Sequence, residues 1–233
     1  MVKIEAPLEK VLKQHKDSFC RVVTFNNRLD KILLMDFTAN NKTLPPQTVN
    51  STDSFSTYVN EQLQSAGALY GIGGYNELRT LYARSEVFDS TDEPRRLHLG
   101  IDIWGAAGTP VFTPMNGTVH SIAFNNRFGD YGATIILRHE LHAVIFHTLY
   151  GHLSLASLAP LTSGQFISAG LQIATFGVPA ENGYWPPHLH FQIITDMEGM
   201  LGDYPGVCKF SEKEKYLANC PDPDLILNMM QHV

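Results

Sequence analysis

From about residue 95 onward, apolar and polar residues alternate in short runs punctuated by Gly, Asn and Asp. "TPVFTP", "GTVHSIAF", "ATIILRH", "HAVIFHTLY", "QFISAGLQIATFG" and "HLHFQIIT" each alternate or carry β-branched residues, and each predicts strand. "MNG" at 115–117, "NNRFGDYG" at 125–132 and "AENG" at 180–183 supply turns between them. That spacing predicts an antiparallel sheet, sandwich or barrel. The fold class is mainly β, and α+β overall once the flanks are included.

Upstream the pattern differs. In "EAPLEKVLKQHKDS" Leu8, Val11 and Leu12 share one helical face, which predicts a short amphipathic helix over 5–18. "RVVTF" and "KILLMDFT" predict two strands joined by the turn-prone "NNRLD". Residues 39–53, rich in Asn, Thr, Ser and Pro, mark a loop or linker, and a second helix is expected over 54–66. Three segments follow: a small α/β N-terminal appendage over 1–68, a core domain over 69–200, and a C-terminal extension over 201–233 that packs on the core. The extension has one expected helix, at 211–218, and then irregular backbone enforced by the two prolines of "NCPDPDLIL".

Composition narrows the class. A chain of 233 residues with 44% hydrophobic and 17% charged content is a folded globular protein. A formal charge of −6 argues against a nucleic-acid partner or an anionic-membrane surface, either of which calls for a basic stripe. The first residues, "MVKIEAPLEKVLKQHKDSF", hold no apolar signal core, and no apolar run is long enough for a membrane span. The expectation is cytoplasmic as written, or extracellular or periplasmic if a leader was removed. Cys20, Cys208 and Cys220 form no C-x-x-C pair and read as small apolar residues, although Cys208 and Cys220 could pair if oxidised. Nothing in the sequence sets the oligomeric state.

Eight of the ten histidines fall between 98 and 190. In "HLHFQI" His188, His190 and Gln192 share one face of a strand, with Leu189, Phe191 and Ile193 on the other. In "RRLHLGIDIW" Leu97, Leu99, Ile101 and Ile103 alternate against His98, Gly100 and Asp102. His98 and Asp102 are roughly 13 Å apart if fully extended, and Gly100 permits a bend that shortens the span. Asp102 among isoleucines needs a partner if its carboxylate is buried. In "HTLYGHLS" His152 has the parity of Val144, Phe146, Thr148 and Tyr150, and His147 the opposite, so His152 at the strand end is the better site candidate. Each motif alone also fits an ordinary packed or surface residue. Together they supply four histidines and one aspartate, enough for the three N/O ligands of a catalytic zinc site with two histidines left to move protons. No H-E-x-x-H helix is present to supply a glutamate base.

H-x-x-x-D, then Y-x-H-L, then H-x-H, on a β-rich domain, resembles the lysostaphin/LytM-type zinc metallopeptidases, which cleave peptidoglycan peptides on a duplicated hybrid motif fold. The resemblance runs from Gly71 to Ile194 and includes "GIDIWGAAGTPVFTPMNGTV" and "LTSGQFISAGLQIATFG". It implies Zn²⁺ held by His98, Asp102 and His190, with His152 and His188 as catalytic histidines and a peptide or muropeptide as substrate. It assigns no function to His120, His139, His142 or His147. The chain departs from the family in "YWPPHLH", where a small-residue approach is usual, and Tyr82, sixteen residues before His98, is the nearest upstream tyrosine. "GIGGYNELR", "HLGIDIW" and "GDYPGVC" also resemble a lysostaphin-like domain set between kinase-like and aminotransferase-like domains. That likeness implies the alternative function, a non-catalytic metal-binding or regulatory module in cytosolic metabolism.

Overall fold

A computed structural model describes residues 8–85, 88 and 93–233. The strands of the N-terminal half are β1 (Ile32–Leu34), β2 (Tyr70–Gly73), β3 (Arg95–His98), β4 (Ile101–Trp104) and β5 (Pro110–Phe112). The centre contributes β6 (Gly117–Asn125), β7 (Gly132–Leu141) and β8 (Val144–Leu153). The rest are β9 (Phe166–Ile167), β10 (Gln172–Thr175), β11 (His188–Ile194) and β12 (Val207–Lys209). Eight of them make one sheet in the order β1-β2-β4-β11-β8-β7-β6-β9, and β5/β10 and β3/β12 form two small antiparallel pairs. The main sheet is antiparallel except for the parallel β1–β2 pair.

The sheet is open, which corrects the barrel expectation. Its edge strands, β1 and β9, have three and two residues, and no pairing among the described residues joins them. Instead the sheet is covered on both faces. Ile135, Leu137, Tyr150, Phe191 and Ile193 pack on one side with Val111 and Ile173 of the β5/β10 pair. Ile136, Leu149 and Ile194 pack on the other with Leu97 of β3 and with Tyr204, Cys208 and Cys220 of the C-terminal segment. The central strands β7, β8 and β11 are therefore buried almost throughout. Cys20, Cys208 and Cys220 are free thiols.

Helix α1 (Leu8–His15) buries Leu8, Val11 and Leu12; residues 5–7 of the expected helix lie outside the described residues. Helix α2 (Thr52–Ala66) buries Phe55, Val59 and Leu63, one stripe at four-residue spacing, between a Ser51 N-cap and a left-handed Gly67. That stripe joins a second core with Phe37, Leu81, Tyr82, Trp104 and Trp185.

Three local expectations change. "RVVTF" is not a strand: Val22 and Val23 are buried by packing, and the segment holds "TPVFTP" through a single bond from Phe112 N to the Val22 carbonyl. "QFISAGLQIATFG" splits into β9 and β10 around Gly170, whose φ is 73°. "NCPDPDLIL" is less irregular than its prolines suggest. After α3 (Lys213–Asn219), Pro223 precedes a four-residue helix, α4 (Asp224–Leu227), where a missing N–H costs nothing.

Candidate functional site

Pairing across four strands builds the site floor. On β11, His190 pairs with Asp102 of β4 on one side and Gly151 of β8 on the other, and Asp102 pairs in turn with Gly73 of β2. His190 and Asp102 thus stand side by side on one face. His98 arrives from above. The "HLGID" bend separates β3 from β4, so Leu97 and Leu99 pack on one side of the sheet and Ile101 and Ile103 on the other. Those four residues do not share a face; the bend instead brings His98 Nε2 to 3.3 Å from Asp102 Oδ1.

Gly100 is required for a reason beyond flexibility. A Cβ there would lie 2.5 Å from His190 Cε1 and 2.9 Å from the Phe191 carbonyl oxygen. Only hydrogen leaves room for the imidazole.

The hydrogen bonds fix the tautomers. His98 Nδ1 lies 2.9 Å from the Gly74 carbonyl, which only accepts, so Nδ1 carries the proton and Nε2 the lone pair. His190 Nε2 donates to Gln192 Oε1 at 2.9 Å, which leaves Nδ1 as the lone pair. Gln192 is oriented for this by donating from Nε2 to the Pro205 carbonyl and Cys220 Sγ. Two lone pairs and a carboxylate oxygen therefore face one point, separated by 3.0, 3.1 and 3.3 Å. Such a set is mutually repulsive unless a cation lies among them. All three residues are buried, and their donor atoms lie within 4.8 Å of one another, so they form a metal-binding arrangement. Burial, helped by the Arg79 charge, pushes His98 down to about 3. Burial alone would raise the Asp102 carboxyl, but His98 and Arg79 beside it hold it well below the carboxylate range.

His152 and His188 follow the same logic. His188 Nδ1 donates to the Pro186 carbonyl at 2.7 Å and His152 Nδ1 to that of Asn182 at 2.8 Å. Each Nε2 is left as an acceptor with no hydrogen bond among the described residues. His188 is sandwiched between Trp104, at 3.9 Å between ring centroids, and His152, at 4.1 Å. Burial lowers both, His188 to about 4 and His152, beside His188, well below its usual value.

The parity reading of β8 fails in an informative way. Residues paired across a sheet share a face, so His190 puts Gly151, not His152, on the site side. His152 belongs by parity with Tyr150 and the opposite core. It reaches the site because its own φ is +63°, a left-handed conformation that breaks the alternation. His147 does share the site face but pairs with Ile194, four residues along β11 from His190.

The five predicted residues line one cavity of about 240 Å³. Trp185 walls it, with its ring 6.3 Å from His152, while Tyr184 is exposed. The other histidines lie elsewhere: His139 bonds the Asn116 carbonyl and Thr148, His120 packs on His147, and His142 stacks on His15. Three contributors, Arg79, Tyr131 and Asn182, were not singled out in the sequence, and Tyr82 was named there only as the nearest upstream tyrosine. Arg79 bonds Asp102 Oδ2, and Tyr82 accepts from Arg79 at 3.2 Å. The Tyr131 hydroxyl lies 3.4 Å from His190 Nε2, and Asn182 ties Gly177 to Trp185. The one available signal was Asp102 itself, whose burial demands a cation.

Residues 96–200 match the model of peptidase family M23. The chain is 35% identical over 98 residues to an uncharacterized metalloprotease of Haemophilus influenzae, covering 42% of this chain and 18% of that protein. It is 35% identical over 125 residues to the DD-carboxypeptidase/endopeptidase Mpg of Neisseria meningitidis, covering 52% of this chain and 26% of that one. The matches thus span about a quarter or less of the relatives' lengths. Among solved structures, the catalytic domain of the antimicrobial peptidase lysostaphin from Staphylococcus simulans aligns at 20% identity and a TM-score of 0.39, over 69% of this chain and 96% of that one. The segment that carries the H-x-x-x-D, Y-x-H-L and H-x-H motifs is thus the one that matches peptidase family M23.

Proposed function

We propose that the chain is a zinc-dependent metalloendopeptidase that hydrolyses a peptide bond, with His98, Asp102 and His190 as metal ligands and His152 and His188 as catalytic residues. The observation that carries this reading is the tautomer-resolved donor set. Tetrahedral zinc with bonds of ~2.0 Å needs ligand atoms about 3.3 Å apart. His98 Nε2, Asp102 Oδ1 and His190 Nδ1 are spaced 3.0–3.3 Å, and each imidazole points its lone pair inward. Their backing by Gly74 and Gln192 is the outer support that metal-bound histidines usually have. When bound, zinc polarises water and the scissile carbonyl.

The chain's own residues supply the proton chemistry. His152 and His188 both present a neutral Nε2, so both begin as proton acceptors. The one that takes the water proton becomes a cation able to donate to the developing oxyanion or the leaving amine. Tyr82 accepts at its oxygen from Arg79, which leaves its own O–H to donate toward the cavity it lines. Burial raises both Tyr82 and Tyr131, so each keeps its proton at neutral pH.

Mpg's name, DD-carboxypeptidase/endopeptidase, supports a peptide substrate, and a peptidoglycan-type or related small peptide at the cell wall is the first to try. No helix of the described residues is long and apolar enough to cross a membrane. The presence of all five residues in one cavity weighs against a non-catalytic module. The test is cleavage of muropeptides and oligoglycine peptides by metal-free protein before and after stoichiometric zinc. Zinc-restored cleavage is expected; zinc binding with no cleavage of any peptide would leave only the module reading.

A further inference from the structure

Arg79 lies seventeen residues before the matched segment, yet it is 1% exposed and its guanidinium touches the site. A local fold carries it there. Beyond Gly73, opposite Asp102, the chain turns at Gly74 (φ 122°) and Asn76 (φ 56°). It then runs back beside β3, with Asn76 N bonded to the His98 carbonyl, His98 N to the Glu77 carbonyl, and Arg79 N to the Arg96 carbonyl. Residues 73–79 therefore lie against both strands that bear the site, β4 with Asp102 and β3 with His98. Gly74 has no alternative: a Cβ would lie 1.9 Å from Glu77 Oε2 and 2.6 Å from Arg79 Nη2.

From this stretch all three nitrogens of Arg79 donate. Nη1 donates to Asp102 Oδ2 and to the Tyr82 hydroxyl (3.2 Å), Nη2 to the Gly73 carbonyl (3.2 Å), and Nε to Glu77 Oε2 (2.5 Å). Asp102 is thus shared among three partners, with Oδ2 on the guanidinium and Oδ1 toward His98 and His190. A cation beside a metal site would ordinarily repel the metal. Here Glu77 offsets it: two carboxylates and one guanidinium leave one net negative charge, complementary to a divalent cation.

We infer that Arg79 is a positioning residue for the metal site, holding Asp102 by Oδ2 so that Oδ1 alone is offered as a ligand. The inference rests on the metallopeptidase reading and extends the functional site to residues 73–82, outside the matched segment. A lysine cannot replace the arginine, because one ammonium cannot reach Asp102, Glu77 and Gly73 with fixed geometry.

The experiment compares wild type with Arg79→Met and Arg79→Lys in the full chain. Zinc affinity is read by competition with a chromophoric chelator, and cobalt(II) absorption reports ligand geometry. Loss of outer support typically weakens metal binding 10–100-fold. Arg79→Met is expected to lose about that much and to shift the cobalt bands as Oδ2 becomes free to coordinate, with Arg79→Lys also weakened. A purely structural role would lower the unfolding midpoint but leave affinity and cobalt spectrum unchanged, which would overturn the inference. So would tighter zinc binding by Arg79→Met, because the guanidinium would then be a competitor of the metal. If Arg79→Met does not fold, Arg79→Lys decides by the same criteria. Wild type that binds no zinc would sink the functional reading and this inference together; wild type that binds zinc no better than a folded Arg79 variant would sink this inference alone.

Discussion

Asn182 offers a perturbation that separates support of the proposed catalytic histidines from binding of metal. Its side chain is fully buried and makes three hydrogen bonds, from Nδ2 to the Gly177 and Trp185 carbonyls (3.2 and 3.1 Å) and from Trp185 N to Oδ1 (3.0 Å). Its backbone carbonyl holds His152 Nδ1 at 2.8 Å. Asn182→Ala leaves that carbonyl in the chain but removes what fixes the loop carrying it. At about 1 kcal/mol for each lost bond, the cost is about 3 kcal/mol. For a chain of this size that is about 6–12 °C in melting temperature. Zinc content is expected to stay at the wild-type level, because none of the three ligands touches Asn182. The catalytic constant is expected to fall about 10- to 100-fold as His152 loses its fixed position. Melting curves, metal analysis and steady-state kinetics on one preparation measure all three. A melting temperature within about 2 °C of wild type, or zinc loss in step with activity, would refute the reasoning.

Other substitutions separate the proposed ligands from the proposed catalytic groups. His190→Ala is expected to lose stoichiometric zinc, since two protein ligands rarely hold it, whereas His152→Ala and His188→Ala are expected to keep it and lose about 100-fold or more in turnover, read by metal analysis beside peptide cleavage. Gly100→Ala pushes a methyl to 2.5 Å from the His190 ring, so weaker zinc binding is expected in chelator competition; wild-type affinity would show that the ring can move aside. His139 does not line the site cavity, and burial pushes it down to about 4 from an ordinary value near 6.5. The folded state therefore stays neutral where the unfolded chain takes up a proton. Stability from this residue is full above about pH 6.5 and is lost, by about 3 kcal/mol, as pH falls toward 4. Urea denaturation across that range should show a shallower decline for His139→Gln, and parallel curves would count against the assignment.

The amino-acid sequence carried the local geometry. Alternation in "HLHFQI" set His188, His190 and Gln192 on one face of a strand, and the four-residue spacing of Phe55, Val59 and Leu63 set the buried stripe of α2. Such patterns are legible because a strand or helix repeats over a few residues, whatever it packs against. Asp102 among isoleucines needed a partner if buried, so the need for a partner was legible although its identity was not.

Tertiary structure decided the rest. Arg79 meets Asp102 across twenty-three residues through two turns and a strand pairing, which no local period encodes. His152 reaches the site because one left-handed residue breaks β8, and alternation assumes that no such residue intervenes. Gly100 is fixed by the His190 ring ninety residues away, not by its own dihedral angles. The sequence by itself determined which side chains had the right chemistry and which neighbours shared a face. Only the packed sheet, with β2 and the 73–79 turn laid against β4 and β3, determined which lone pairs meet at one point, because that convergence is a property of contacts between segments.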